Sequence, residues 1–265
     1  MIFDSDIVVV LINIMALALY LKGENMNRRH FLKSSALFLG AFTFYKSAFA
    51  ENQNIQNVAV LAATGKAGRL IMDEALSRGL KVTAFVRNAK KLEKRDNLNI
   101  VEKDIFKLTA DDLKNFDAIF DAFGEWKNLE LHKKHAEHLV AILQNNPAKI
   151  YIVGGAGSLY TDKTHTKRLM DSPDFPPAHL PLVAAVAQGL DVFRASQNVN
   201  WVYVSPPKEF IFEGEKTGKY KIIGEEFETN DKGQSVASYK DYAAAMVDLA
   251  IQNKLNRVRV GVIGL

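Results

Sequence analysis

The chain of 265 residues contains no cysteine. That removes disulfides, thiolate metal sites and thiol nucleophiles, and no metal site of another kind is expected. A dominant charge is also missing. Residues 1–50 carry a net formal charge of +2 and the other 215 residues a further +2, within a total of +4. So balanced a domain has no electrostatic footprint for nucleic acid. No internal repeat, low-complexity linker or second folded domain is visible. The apolar run Ile7–Leu21, about 15 residues long, falls short of the roughly 20 that a spanning helix needs, and the domain that follows is not expected to be embedded in a membrane.

What is present begins at Val58–Ile71: an apolar run, a glycine-containing turn and the start of an amphipathic helix. That order suits a phosphate-cradling strand–turn–helix, in which the helix N-terminus directs N–H groups and its positive dipole end at an anion. Gly65 is expected to take the positive φ of the turn, and Gly68 to let helix and strand approach closely. Ala62 stands where the G-x-x-G-x-x-G spacing has its first glycine. Arg87 follows the second strand, 19 residues beyond Gly68. At that place an acidic residue holds the 2′-hydroxyl of NAD, whereas an arginine accommodates the 2′-phosphate of NADP. NADP(H) is therefore expected over NAD(H).

Strands are expected at 58–62, 81–86, 99–104, 117–124, 148–153, 199–204 and 257–263, with helices at 70–78, 110–115, 129–144, 184–197 and 239–252 between them. This alternation predicts an α/β fold: a single Rossmann-like domain with a doubly wound, mainly parallel sheet of about seven strands. Ligands of such sheets lie beyond the carboxyl ends of the strands. The expected cofactor contacts are therefore Ala62, Thr64, Gly65, Lys66, Ala67 and Gly68 after the first strand, and Arg87 after the second. Asp104 and Ile105 follow the third, Phe123 and Gly124 the fourth, Gly154 and Gly155 the fifth, and Ser205 and Pro206 the sixth.

The first fifty residues read differently. Asn27-Arg-Arg-His-Phe-Leu-Lys33 reproduces the twin-arginine export pattern, an apolar stretch Ala36–Tyr45 and Lys46 follow, and Ala48-Phe-Ala50 is an A-x-A cleavage site. Residues 26–50 are thus expected to be a twin-arginine signal peptide, with Met26 as the start. Residues 1–25 are then an upstream extension, or alternatively an extra apolar segment. The domain proper is 51–265. The expected location is periplasmic, reached from a cytoplasmic precursor with the twin-arginine translocase as partner. That route carries folded proteins, which suits an enzyme that acquires a nucleotide in the cytoplasm.

A proton relay is harder to find. No tyrosine of the domain has a lysine four residues on, so the Tyr-x-x-x-Lys pair of common short-chain dehydrogenases is absent. Glycines 154 and 155 stand where a serine would end the fifth strand. Ser158, three residues later, either bonds a substrate as the candidate catalytic residue or caps the next segment. His132, His135 and His138 sit in a mostly polar stretch and read as a solvated helix face. Glu213–Tyr220 reads as a turn-rich flap over the crevice or as a solvated hairpin loop.

Taken as a set, Ala63–Gly68, Thr83–Arg87, Val153–Leu159, Asp171–Pro176, Trp201–Pro206 and Gly214–Tyr220 resemble the bacterial NADH-flavin reductase family. These are atypical short-chain dehydrogenases related to biliverdin reductase B and to NmrA-like proteins. The resemblance spans Asn57–Leu265. It implies NAD(P)H binding and hydride transfer to a flavin or another conjugated small-molecule acceptor such as a quinone. In the biliverdin reductase B branch the active-site serine falls at Gly155. Two other classes stay open: a non-catalytic NAD(P)H-binding sensor or scaffold, and a sugar-nucleotide epimerase or dehydratase, which the missing Tyr-x-x-x-Lys disfavours.

Overall fold

The computed structural model describes residues 55–265, so the expected signal peptide lies outside the described residues. Among the described residues there are five helices and ten strands, which alternate as far as the sixth strand, with short 3-10 turns between some of them. The strands are β1 (Asn57–Leu61), β2 (Lys81–Val86), β3 (Leu98–Glu102), β4 (Ala118–Asp121), β5 (Lys149–Val153), β6 (Asn200–Ser205), β7 (Glu209–Ile211), β8 (Tyr220–Ile223), β9 (Val236–Ser238) and β10 (Val258–Gly264). The helices are α1 (Lys66–Ser77), α2 (Ala110–Leu113), α3 (Glu130–Ile142), α4 (Leu180–Ala195) and α5 (Tyr239–Gln252).

The main sheet has eight strands in the order β3-β2-β1-β4-β5-β6-β10-β8. All neighbours are parallel except β10 and β8. Its first six strands follow the doubly wound order, whose topological switch point lies between β1 and β4. Strand β1 shows how the layers form. Val58 and Val60 face a core shared with Ile71 and Met72 of α1 and Tyr242 and Met246 of α5. Ala59 and Leu61 face the other core, shared with Leu139 of α3 and with Leu190 and Phe193 of α4. A strand buried on both faces reads as a continuous apolar run, which is why it is legible in sequence.

The expected domain class holds, with differences that have local causes. Strand β8 adds an antiparallel edge, and β7 and β9 form a separate two-stranded parallel sheet. Helix α4 begins four residues before its expected start. Pro181 falls in its first turn, where the missing N–H has no helical partner to lose.

The turn after β1 differs in one respect. Gly65 has φ −72° and ψ 166°, ordinary extended backbone just before α1. The left-handed residue is Ala62, with φ 55°. Its carbonyl accepts the Gly65 N–H at 2.9 Å and closes the turn. A Cβ in this region costs about 1–2 kcal/mol, partly offset by the greater freedom glycine has when unfolded. Ala62→Gly is therefore expected to stabilise the domain by about 1 kcal/mol, a rise in Tm of roughly 2–4 °C in thermal unfolding. A lower Tm contradicts this reading of the turn.

Candidate functional site

A crevice of about 910 Å³ runs along the carboxyl ends of the parallel strands. That volume lies within the range of small-molecule and cofactor sites, roughly 300–1,000 Å³. At one end is the β1–α1 turn. No side chain caps α1 and its first turn holds no acidic residue. By contrast, α5 is capped by Ser238, whose hydroxyl accepts the Asp241 N–H at 2.9 Å. The first N–H groups of α1 thus remain for an anion. Gly65, Lys66 and Ala67 line the crevice there, with Ala62 and Thr64 beside them. Gly68 does not line it. It lies beneath the turn, where a Cβ would come within 2.5 Å of the Ala62 carbonyl oxygen. Its role is to let α1 come close.

Arg87 and Lys91 border the next part of the crevice. Arg87 is exposed and forms no ion pair with another described residue. The loop behind it is fixed by Glu102, whose carboxylate accepts the Ala89 N–H at 2.7 Å. Asp104 and Ile105 line the wall that follows β3. The Asp104 carboxylate accepts the Phe106 N–H at 2.9 Å, so it shapes its own turn. Phe123, Gly124 and the largely exposed Trp126 follow β4. Glu125 holds that loop through the N–H groups of Lys127, Asn128 and Trp126, which keep its carboxyl below the usual carboxylate range.

Farther in, the crevice passes Gly154 and Gly155 and runs between α3 and α4. The space above these glycines is already filled. A Cβ on Gly154 would meet the Tyr203 ring at 2.1 Å, one on Gly155 would meet Val186 at 3.0 Å, and one on Gly157 would meet Val183 at 2.2 Å. The glycines admit neighbouring protein side chains. The Tyr203 hydroxyl donates to the Val186 carbonyl at 3.3 Å, and burial pushes its pKa up.

Three sequence expectations land elsewhere. Ser158 is buried away from the crevice, where its hydroxyl and carbonyl accept from the Arg259 guanidinium at 3.1 and 2.6 Å. Arg259 is itself buried and paired with Glu225 at 3.0 Å, so Ser158 serves that ion-pair network. Ser205, at the end of β6, is fully buried, and Pro206 alone of that pair reaches the crevice. The Glu213–Tyr220 segment is no flap. The Thr217 and Gly218 N–H groups donate to the Asp241 carboxylate at 2.9 and 2.8 Å, and Lys216 reaches Glu74 of α1 at 2.5 Å. This ties the segment down over α1 and α5, and Phe210 and Tyr239 border the crevice instead.

The histidines of α3 are not a solvated face. His135 is buried, and its Nε2–H donates to the buried Asp121 carboxylate at 2.9 Å. His132 donates from Nε2 to the Glu125 carbonyl at 2.8 Å. Both line the crevice, and Asp121 lies at the end of β4. The missed signal was the stripe Leu131, His135, Leu139: at i, i+4, i+8 the histidine takes a core position.

The fold is shared with solved relatives. The profile of a family described as NAD(P)H-binding matches residues 62–253. The YwnB protein of Bacillus subtilis is 41% identical over 193 residues, which cover 72% of this chain and 90% of that one. The crystal structure of SP1627 from Streptococcus pneumoniae, provisionally named an NADH-flavin reductase, is 44% identical with a TM-score of 0.76, over 79% of this chain and 100% of that one. A Burkholderia pseudomallei structure, provisionally described as an exported protein, is 28% identical with a TM-score of 0.70, over 79% of this chain and 100% of that one. The chain belongs to the NAD(P)H-binding family, and its domain has the Rossmann-like fold of that family.

Proposed function

We propose that the protein is an exported reductase that uses NADPH to reduce a flat conjugated acceptor of flavin or quinone type. The observation that carries the cofactor preference is Arg87, exposed on the crevice with no ion-pair partner among the described residues and with no acidic residue at the end of β2. The uncapped N-terminus of α1 and Lys66 would hold the diphosphate, and Arg87 with Lys91 the 2′-phosphate. When bound, the dinucleotide supplies a hydride. Phe123, Val183, Val186 and Phe193 provide apolar walls toward the deep end of the crevice, which favour a planar ring over a sugar. A planar acceptor stacked on a nicotinamide needs no Tyr-x-x-x-Lys pair to polarise a carbonyl. The name given to SP1627 points the same way, and the description of the Burkholderia relative is in keeping with export.

Three outcomes test this. NADPH should bind more tightly than NADH, and Arg87→Ala should remove about tenfold of NADPH affinity while leaving NADH unchanged. Charge-assisted contacts are worth about 1.5–3 kcal/mol, and the exposure of Arg87 places it at the low end. Equal affinities in the unaltered protein contradict the preference. On mixing with FMN or benzoquinone, the NADPH-loaded protein should lose its nicotinamide absorbance band in a catalytic manner. Tight binding with no turnover of either acceptor favours a sensor. Replacing Arg28 and Arg29 by lysine keeps the charge and removes the guanidinium pair, so an unprocessed precursor should remain in the cytoplasm. Continued export and cleavage after Ala50 would reassign the leader to the Sec route.

A further inference from the structure

We propose that His135, held by Asp121, is the proton donor to the acceptor during its reduction; this rests on the reductase reading above. Reduction by hydride leaves a negative charge on a flavin or quinone ring, and a proton must follow. Among the groups at the deep end of the crevice, most are committed. The Tyr203 hydroxyl donates to the Val186 carbonyl, His132 Nε2–H to the Glu125 carbonyl, and the Asp121 carboxylate accepts from His135 and, at 3.1 Å, from the Phe123 N–H.

One titratable atom is left over. His135 has its Nε2 on Asp121, while its Nδ1 is buried and has no hydrogen-bond partner. Five buried side-chain polar atoms among the described residues lack a partner, and His135 alone of their residues lines the crevice. An unsatisfied buried nitrogen costs about 1–3 kcal/mol, and of the two histidines that carry one, His135 and His138, only His135 lines the crevice. The carboxylate on the opposite nitrogen fixes the ring orientation and stabilises the imidazolium, leaving Nδ1 to exchange the proton, the logic of a base oriented by a third group. The neighbours confine that exchange. Phe123 lies against the imidazole at 4.2 Å between ring centres and Phe106 meets it edge-on at 5.9 Å. The charged and titratable groups nearby are Asp121 from β4, His132 and His138 on the same helix and Tyr203 from β6, while α4 presents Val186 and Gly189.

The step balances. The acceptor ring takes a hydride with its electron pair from NADPH and gains one negative charge. The Nδ1–H bond of the His135 imidazolium breaks, and its proton bonds to the anionic ring nitrogen or oxygen. Water that enters the crevice after product leaves then returns a proton to the imidazole. NADPH loses two electrons, and the acceptor gains two electrons and two hydrogens.

The test compares the unaltered protein with His135→Gln and Asp121→Asn, using NADPH with FMN or benzoquinone. His135→Gln retains an N–H for Asp121, so the fold and NADPH affinity are expected to persist. Its kcat should fall about 100-fold or more, the usual contribution of a positioned acid. The unaltered enzyme should show a solvent deuterium isotope effect on kcat, because a proton moves in the step, and the variant should lack it. Asp121→Asn should lower kcat as well. A folded His135→Gln protein with the unaltered rate and isotope effect overturns the proposal. Failure of the unaltered protein to reduce either acceptor overturns the reductase reading, and the proton donor with it, so the two failures are distinct. Should His135→Gln not fold, the 15N resonances of His135 in the unaltered protein decide. Adding FMN and NADP+ should move Nδ1 and leave Nε2 in place, and an unmoved Nδ1 contradicts the assignment.

Discussion

The contact on which the site depends is the approach of α1 to the turn after β1. With a Cβ, Gly68 would stand 2.5 Å from the Ala62 carbonyl oxygen, closer than any real side chain allows. Only glycine lets the helix descend this far. Its descent brings the uncapped N-terminus, with Lys66 and no acidic side chain, to the edge of the crevice. A helix one methyl group farther out would aim its dipole at solvent, and Arg87 and Lys91 would border a groove with no anion-binding end.

The sheet then separates two kinds of chemistry. On the α1/α5 face the polar ties are structural: Lys216 to Glu74, and the Thr217 and Gly218 N–H groups to Asp241. On the α3/α4 face, polar groups are buried beside the crevice itself, with Asp121 and His135 at its wall. The Arg259–Glu225–Arg194 network, which holds Ser158, anchors the segment after β5 away from that wall. Removing Glu225 would leave the buried Arg259 charge uncompensated, so the network fixes the loops that frame the site.

The main strands were legible because a doubly buried parallel strand must be apolar on both faces, as in Val58–Leu61. The loop ends were legible too, since strand alternation alone brings Thr64, Arg87, Asp104, Phe123, Gly154 and Pro206 to one edge. Three-dimensional packing hid the remainder. Which residue of the β1–α1 turn turns left-handed depends on where its hydrogen bond closes, and that bond made it Ala62. Glycines 154, 155 and 157 receive Tyr203, Val186 and Val183, contacts between distant elements that no spacing in the sequence reports. His135 was masked by Lys133, Lys134 and Glu137 on the solvent side, and its partner Asp121 lies on another element. The short edge strand β8 lacks a double-sided apolar run, because its pairing with β10 gives it only one neighbour.

The most direct measurement is the structure of the complex with NADP+. The diphosphate is expected against the N–H groups of Gly65–Ala67, the 2′-phosphate beside Arg87, and the nicotinamide at the deep end near Gly154 and His135. A dinucleotide bound in the reverse direction, or outside this crevice, would contradict that arrangement.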